Sequence, residues 1–316
     1  MKNKVLTKKI LDKHKVDSGK VREKFSVPDS VLLILLLTTD RISIFDQIIG
    51  RIGGKGVVLN ALTVFWKDFL RRIVPNDVVT DNDRLIARHY GCTSVSRELQ
   101  GRLCLVKKAE VVPIECIVRF IMDGSLLKAY RKADGRKNGA MIWGIGFNKG
   151  MRKGTRFEMP VFTPSTKAPM GEHDINISYE EMVKVVDAWL KKNPQIVGFT
   201  AESLSQAIKS TSLALALIGR DYAKRKGYSL VDTKFEFGII YDADLGKYVL
   251  CLIDEVLTPD SSRYRFKGKY RDKQVVRDYY EKELKWDKVS EPAPIPKRIE
   301  SIVISDYNDQ LARIAT

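Results

Sequence analysis

The stretch Tyr228–Val256, YSLVDTKFEFGIIYDADLGKYVLCLIDEV, decides the fold. Over Leu230–Ile239 the period is two: Val231, Thr233, Phe235 and Phe237 share one face, and Asp232, Lys234 and Glu236 the other. Over Lys247–Val256, Tyr248, Leu250, Leu252 and Asp254 alternate in the same way with Val249, Cys251, Ile253 and Glu255. The linking DADLG is turn chemistry, so the two runs form an antiparallel hairpin. Centred on Leu245, that hairpin sets Glu236 directly opposite Asp254, with Cβ atoms about 5 Å apart. Like charges that face each other across strands are destabilising unless something positive lies between them. The functional reading is a divalent cation held by both carboxylates and by substrate phosphates, the usual manner of Mg²⁺, with Lys234 able to meet the same anion. The bland reading is a solvated polar face paired to surface lysines, and a one-residue slip of register removes the opposition.

Around this hairpin the chain mixes strands and helices. Val31–Thr38 reads as a continuous, fully buried strand, followed by the polar turn TDRISIFD and the Gly-rich RIGGKG. Val57–Ile73 has helical spacing through Val58, Leu62, Phe65, Phe69 and Leu70. Strands are expected at Leu103–Lys107 and Cys116–Ile121, with Pro113 punctuating the chain between them. Residues 131–158 are rich in Gly and Lys and read as irregular. Ser178 and Glu181 make a capping box for a helix to about Leu190, and a long helix spans about Glu202–Lys226. Another helix is expected over Lys273–Leu284, and a short one over Asp306–Ile314 after the spacer EPAPIPK. The fold class is α+β with two lobes, residues 1–113 being a β-rich N-terminal lobe and 114–316 a C-terminal α/β lobe.

Composition sets the outer bounds. A chain of 316 residues with 44% hydrophobic and 30% charged residues has a sizeable core, which excludes disorder, collagen and coiled coil. The longest apolar run, Val31–Leu37, is far short of the ~20 residues that span a bilayer. The N-terminus breaks its apolar pairs with Lys, His and Asp, so no signal peptide or membrane attachment is expected and the location is read as cytoplasmic. Four scattered cysteines without a C-x-x-C pair, and three histidines far apart, argue against both a disulfide scaffold and a zinc site. The net charge of +16, from 55 basic and 39 acidic residues, favours anionic partners. Those partners are nucleic acid or small polyanions such as nucleotides, a plain solvated basic surface fits about as well, and no zinc-finger, bZIP or RNA-recognition signature raises the nucleic-acid option.

Two shorter motifs add to the hairpin. In Ser18-Gly19-Lys20-Val21-Arg22 a Gly-initiated turn can offer backbone N–H groups to phosphate, with Lys20 and Arg22 on one side and charge to spare. This is not a Walker A loop, and G-K-x-R recurs by chance. In Asp260-Ser261-Ser262-Arg263 hydroxyls and an Arg fork follow the metal-candidate strand and could grip a phosphate or carboxylate. A plain Asp-Ser turn with a solvated Arg fits equally well.

Taken together, TDRISIFD, KGVVLN with TVFW, VPIECIVR, FTPSTKA with GEHD, VDTKFEFG and IDEVLTPDSSR stand in the order and spacing of SAICAR synthetase. The chain resembles that family from Gly19 to the C-terminal helix. The resemblance implies a two-lobed α+β fold with an ATP cleft between the lobes. It also implies an ATP-dependent C–N ligase of purine biosynthesis that joins carboxyaminoimidazole ribotide (CAIR) to L-aspartate with Mg²⁺. Carried over by position, Gly19, Lys20, Val21 and Arg22 fall on the family's phosphate loop. Lys108, or its neighbour Lys107, falls on the strand that supplies a nucleotide lysine, and Glu110 and Val112 fall at the adenine hinge. Glu236 and Asp254 fall on the metal carboxylates. Arg119, Ser125, Lys234, Asp260 and Arg263 fall around the ribotide phosphate and imidazole carboxylate, with Lys234, Asp260 and Arg263 implied in catalysis. Asp40, Arg41, Ser43 and Asp46 keep a block lining the same cleft, where Arg41 and Asp46 could equally fix the turn. The chain departs from the family after VPIECIVR. Phe120 stands where a glycine is usual, and Leu126-Leu127 replaces a G-W-like pair beyond Gly124-Ser125. Arg156-Phe157-Glu158-Met159-Pro160 replaces a K-L-P-E-P-like run.

The implied chemistry is transfer of the ATP γ-phosphoryl to the CAIR carboxylate, then attack by the amine of aspartate. Such transfer needs positioning and charge neutralisation more than a protein nucleophile, and no Ser-His-Asp or Cys-His arrangement is evident. The expected partners are ATP, CAIR and L-aspartate, with a monomer favoured. The alternatives are a kinase-like phosphotransferase on another acceptor and a degenerate basic nucleic-acid binder.

Overall fold

Alternating and helical patterns both take their expected forms in the computed structural model, which describes residues 4–167 and 174–316. The chain is mixed α+β, divided by its contacts into two units. No helix among the described residues is long and apolar enough to cross a membrane.

The first unit holds residues up to Glu110, with Thr258–Asp260 and Tyr270–Thr316. Its five-stranded sheet has the order Lys15–Ser18, Arg22–Val27, Ser30–Thr38, Leu103–Lys107, Val78–Thr80, antiparallel throughout. Phe25, Leu35, Leu37, Leu103 and Leu105 form the apolar side with Leu6, Leu11 and Ile86. The Val31–Thr38 run is not buried along its whole length, because Val31 and Leu32 are 85% and 73% exposed. The ladder to Leu103–Lys107 begins only at Leu33, so the first two side chains lie beside the turn of the Arg22–Val27 and Ser30–Thr38 hairpin, beyond the reach of the third strand. The helix Lys55–Leu70 packs against that strand and against the helix Lys297–Ile314. This last helix is twice as long as the spacing around Asp306 indicates. Ile299 and Val303 extend the buried stripe of Tyr307, Gln310 and Ile314 by two turns, while exposed Ile302 blurs the period. The Lys273–Leu284 expectation resolves into an α-helical turn, Gln274–Asp278, and a π-helical one, Tyr279–Glu283.

The second unit is Val111–Leu257 and Ser261–Lys269. The boundary expected after Pro113 left everything beyond it in one lobe, whereas the contacts return 258–260 and 270–316 to the first unit. Pro113 does not interrupt the chain: Glu110–Ile121 is one strand running through it. The order of the main sheet is Arg156–Phe162, Glu110–Ile121, Tyr228–Asp242, Ser262–Phe266, Lys269–Tyr270. Ser165–Thr166 also pairs with Glu110–Ile121, and Lys247–Ile253 with Tyr228–Asp242. The helix Ala201–Arg225 lies along Tyr228–Asp242, and Tyr179–Lys192 packs on that helix, starting from the Ser178–Glu181 capping box. Residues 131–158 are more ordered than their composition suggests. They hold a short helix, Gly135–Asn138, and a hairpin, Ala140–Ile142 with Ile145–Phe147. The Tyr130 hydroxyl ties this excursion down, lying 2.6 and 2.7 Å from the carbonyls of Gly135 and Asn148, which share its one proton.

Candidate active site

Five acidic and basic side chains meet on one face of the second unit's sheet. Lys234 donates from Nζ to Glu115 Oε1 at 2.6 Å and to Glu236 Oε1 at 2.7 Å. Lys167 pairs with the other oxygen of Glu236. Burial would raise the pKa of Glu236, but Lys234 and Lys167 outweigh it and hold the carboxyl below its ordinary value, while Asp254 pushes the other way. The same exchange overrides burial at Lys234, whose pKa stands well above the usual lysine value. Glu115 is pushed up to about 7, by burial first, with Lys234 opposing and Glu236 reinforcing.

The hairpin register differs by one residue from the expected one. Glu236 faces Ile253, because Asp242 closes the turn with Lys247 and leaves four loop residues, so no single residue is central. Asp254 follows the strand at φ 55°, a left-handed backbone, and remains within electrostatic reach of Glu236, Lys234 and Lys167. The pairing by direct opposition is therefore wrong, although the two carboxylates still share a site. Among the described residues no group of three or more His, Cys, Asp or Glu is placed to hold a metal ion.

A second cluster in the same unit is built around Arg119 and Arg263. Arg119, 3% exposed, donates to Thr163 Oγ1 at 2.8 Å and to Ser125 Oγ at 2.9 Å, and lies 3.6 Å from Asp232. Its burial lowers its pKa to about 10. Arg263 grips Asp232 through Nε (2.9 Å) and Nη2, and reaches Asp123 at 3.4 Å. Arg265 bonds Asp123 at 3.0 Å, and Lys153 stands 4.0 Å from it. Gly124 has to be glycine here: φ is +57°, and a Cβ would come 2.5 Å from the Arg263 guanidinium. Phe120, Leu126 and Leu127 are all buried, the two leucines in an apolar cluster with Met122, Tyr130 and Phe147.

In the first unit Gly19, Lys20 and Val21 form the turn between Lys15–Ser18 and Arg22–Val27. Arg41 fixes that turn by donating to Gly19 O at 2.9 Å and Ser18 Oγ at 3.3 Å. Lys20 pairs with Asp46. Arg22 does not stand beside it as spare charge, because it is 7% exposed and donates to Thr63 Oγ1 of the Lys55–Leu70 helix at 3.1 Å. Asp40 has a structural task, accepting Arg102 at 2.6 and 2.8 Å and the Gly56 N–H at 2.9 Å. These outweigh its burial and lower its pKa. Ser43 is buried on the strand Arg41–Ile44. Lys107 and Lys108 are exposed at the end of Leu103–Lys107; Glu110 is exposed and Val112 buried at the start of the next strand.

Asp260 is not an open ligand. Its carboxylate is 2% exposed, accepts Lys55 Nζ at 2.7 Å and the Tyr307 hydroxyl at 2.6 Å, and lies 3.5 Å from Lys273. Lys273 and Lys55 overcome the burial penalty and bring its pKa to about 2. A carboxylate so surrounded holds the turn to the rest of its unit, a structural task beside the catalytic and substrate-binding role expected of it. Conversely, Glu115 and Lys167 received no role from sequence reasoning. Glu115 lies on the polar phase of VPIECIVR, and Lys167 ends FTPSTK, so alternation and the block itself carried the signal.

Comparison with known proteins follows the same lines. The model of the family described as SAICAR synthetase matches residues 15–293. The phosphoribosylaminoimidazole-succinocarboxamide synthase of Desulfotalea psychrophila is 38% identical over 307 residues, covering 95% of this chain and 94% of that one. That of Thermodesulfovibrio yellowstonii is 38% identical over 326 aligned positions, covering 100% of both chains. A solved structure, SAICAR-synthase from Saccharomyces cerevisiae complexed with SAICAR, superposes with a TM-score of 0.75 at 30% identity, over 99% of this chain and 98% of that one. The chain belongs to the SAICAR synthetase family.

Proposed function

We propose that the protein joins L-aspartate to CAIR at the expense of ATP, through an acyl phosphate on the CAIR carboxylate. The observation that carries this reading is the sheet face on which Lys234, Lys167 and Glu236 meet within electrostatic reach of Asp254. Phosphoryl transfer needs charge placed around the moving group, and this face offers both signs. The donor set suits Mg²⁺: Glu236 and Asp254 would hold it with substrate phosphates completing its shell. The lysine contacts of Glu236 supply its counter-charge until then. The metal would neutralise charge on the transferring γ-phosphoryl. Lys234 and Lys167 do the same from the protein side.

The remaining roles are assigned by position and charge. Around Arg119, two carboxylates face four cationic side chains, a surplus of two positive charges that suits a phosphate dianion. Arg119, Ser125 and Arg263 are therefore proposed to hold the ribotide phosphate. Gly19, Lys20 and Val21 present a turn to the ATP phosphates, with Arg22 bracing it from beneath. Lys108 adds nucleotide charge, and Glu110 and Val112 offer backbone groups to adenine. Asp40 and Ser43 act by holding the block that follows this turn. A cytoplasmic setting suits four buried cysteines that are all free thiols.

The test is ADP release from the purified protein supplied with ATP, Mg²⁺, CAIR and L-aspartate, each omitted in turn. Release that persists without aspartate would sink the ligase reading in favour of a phosphotransferase.

A further inference from the structure

Beside the charged face runs a row of acceptors that the reading above leaves unused. Glu115 faces Ser165 across the antiparallel pair of Glu110–Ile121 with Ser165–Thr166, and Ser165 bridges in turn to Asn176. Residues directly opposite each other on paired strands point to the same side of a sheet, so these three side chains share one face. It is the face of Lys234 and Glu236, because Lys234 Nζ reaches Glu115. Lys167, two residues beyond Ser165, lies on it too, since it meets Glu236.

Two members of the row lack a partner among the described residues. Ser165 is 2% exposed and its Oγ has no hydrogen-bond partner among them, and the same holds for the buried Oδ1 of Asn176. Native proteins rarely leave buried polar atoms unpaired, and those that remain call for a ligand, a water or a catalytic use. The row is made of oxygen atoms: a carboxylate, a hydroxyl and an amide carbonyl. An alkylammonium has three N–H donors and no acceptor, the complementary set.

We propose that Glu115, Ser165 and Asn176 form the seat for the amino group of an α-amino dicarboxylate substrate, with Lys167 meeting one of its carboxylates. The inference rests on the ligase reading and names the residues that hold its nucleophile. Glu115 lies on the strand next to Lys234 and Glu236, about 4.8 Å away in the hydrogen-bonding direction. The seat thus brings the nitrogen to the edge of the place where the acyl group is activated. Among the described residues the cation that the row itself meets is Lys234, at Glu115, while Lys167 stands beside it on Glu236.

The experiment compares L-aspartate with succinate, which has both carboxylates and no amino group. Glu115→Gln, Ser165→Ala and Asn176→Ala are assayed for aspartate-dependent ADP release, with succinate as competitor. Loss of a charge-assisted contact should raise the aspartate KM about tenfold or more in Glu115→Gln, and loss of a neutral one about threefold to tenfold in the other two. The ATP KM and the succinate inhibition constant should stay within twofold of wild type. The thermal midpoint of Ser165→Ala should not fall, since the hydroxyl has no partner to lose among the described residues. Parallel rises for aspartate and succinate, or an unchanged aspartate KM in Ser165→Ala, would overturn the seat. Failure of succinate to inhibit the wild type would overturn the Lys167 contact. Wild-type ADP release that ignores aspartate would instead remove the ligase reading on which the seat depends.

Discussion

Replacing Asp260 by asparagine tests whether this carboxylate serves the fold or the reaction. Asparagine keeps the volume and can still accept from Tyr307, now 2.6 Å away, but it no longer opposes the charge of Lys55. That lysine is wholly buried, with Asp260 at 2.7 Å and the Arg41 carbonyl at 2.9 Å. Breaking one side of a buried ion pair costs about 3–5 kcal/mol, because the other charge is left uncompensated. Linkage gives an independent figure. A fall from 3.8 to about 2 corresponds to about 2–3 kcal/mol at 1.36 kcal/mol per unit. We therefore expect Asp260→Asn to lose about 2–5 kcal/mol, read as a lower urea midpoint at constant m. The pH dependence has a definite sign. A carboxyl with a lowered pKa contributes fully above its unfolded value near 3.8, and that contribution drains away as pH falls towards 2. Wild type should lose this increment between pH 4 and 2, and Asp260→Asn should not. A midpoint shift worth less than about 1 kcal/mol, or an acid limb as steep in the variant as in wild type, would refute the reasoning.

Other substitutions probe the remaining assignments. Lys20→Ala should weaken ATP binding about tenfold or more, the worth of one charge-assisted phosphate contact, and leave the aspartate KM alone; an unchanged ATP titration would return GKVR to a structural turn. Arg263→Lys leaves one ammonium to serve both Asp232 and Asp123, so the CAIR KM should rise about tenfold with ATP affinity intact; wild-type CAIR titrations would take Arg263 out of the pocket. Phe120→Gly should lower the urea midpoint by the equivalent of about 3–5 kcal/mol, since the ring is 6% exposed and lies under the Arg220 guanidinium at 5.1 Å. Improved CAIR use in that variant would show that the ring narrows the pocket.

The alternation in Tyr228–Val256 was enough to find both strands and the turn, because a half-buried strand writes its two faces into consecutive residues. It could not locate the register, which depends on whether the loop holds an odd or even number of residues, and DADLG suits either. Ser178 and Glu181 announced their helix because a capping box is a local device. Asp260 was opaque for the opposite reason: Lys55 lies 205 positions away and Tyr307 47, and turn chemistry says nothing of either. Glu115 and Lys167 escaped similarly. Glu115 sits on the strand next to that of Lys234 and Glu236, and Lys167 just past the short strand Ser165–Thr166, so only the sheet order makes them neighbours.

The first unit draws its parts from both ends of the chain, and this has a consequence for synthesis on the ribosome. Lys55 emerges with the first sheet, but its counter-charge follows 205 residues later. At about 5–20 residues per second the delay is about 10–40 s. Throughout that interval the lysine has to stay in water, and the helix Lys55–Leu70 lacks the Lys297–Ile314 helix that covers it. Residues 111–257 can collapse meanwhile, since Ser261–Lys269 follows directly behind them. The nascent protein should therefore mature from its middle outwards, with the N-terminal sheet open to proteases and chaperones until the last helix arrives.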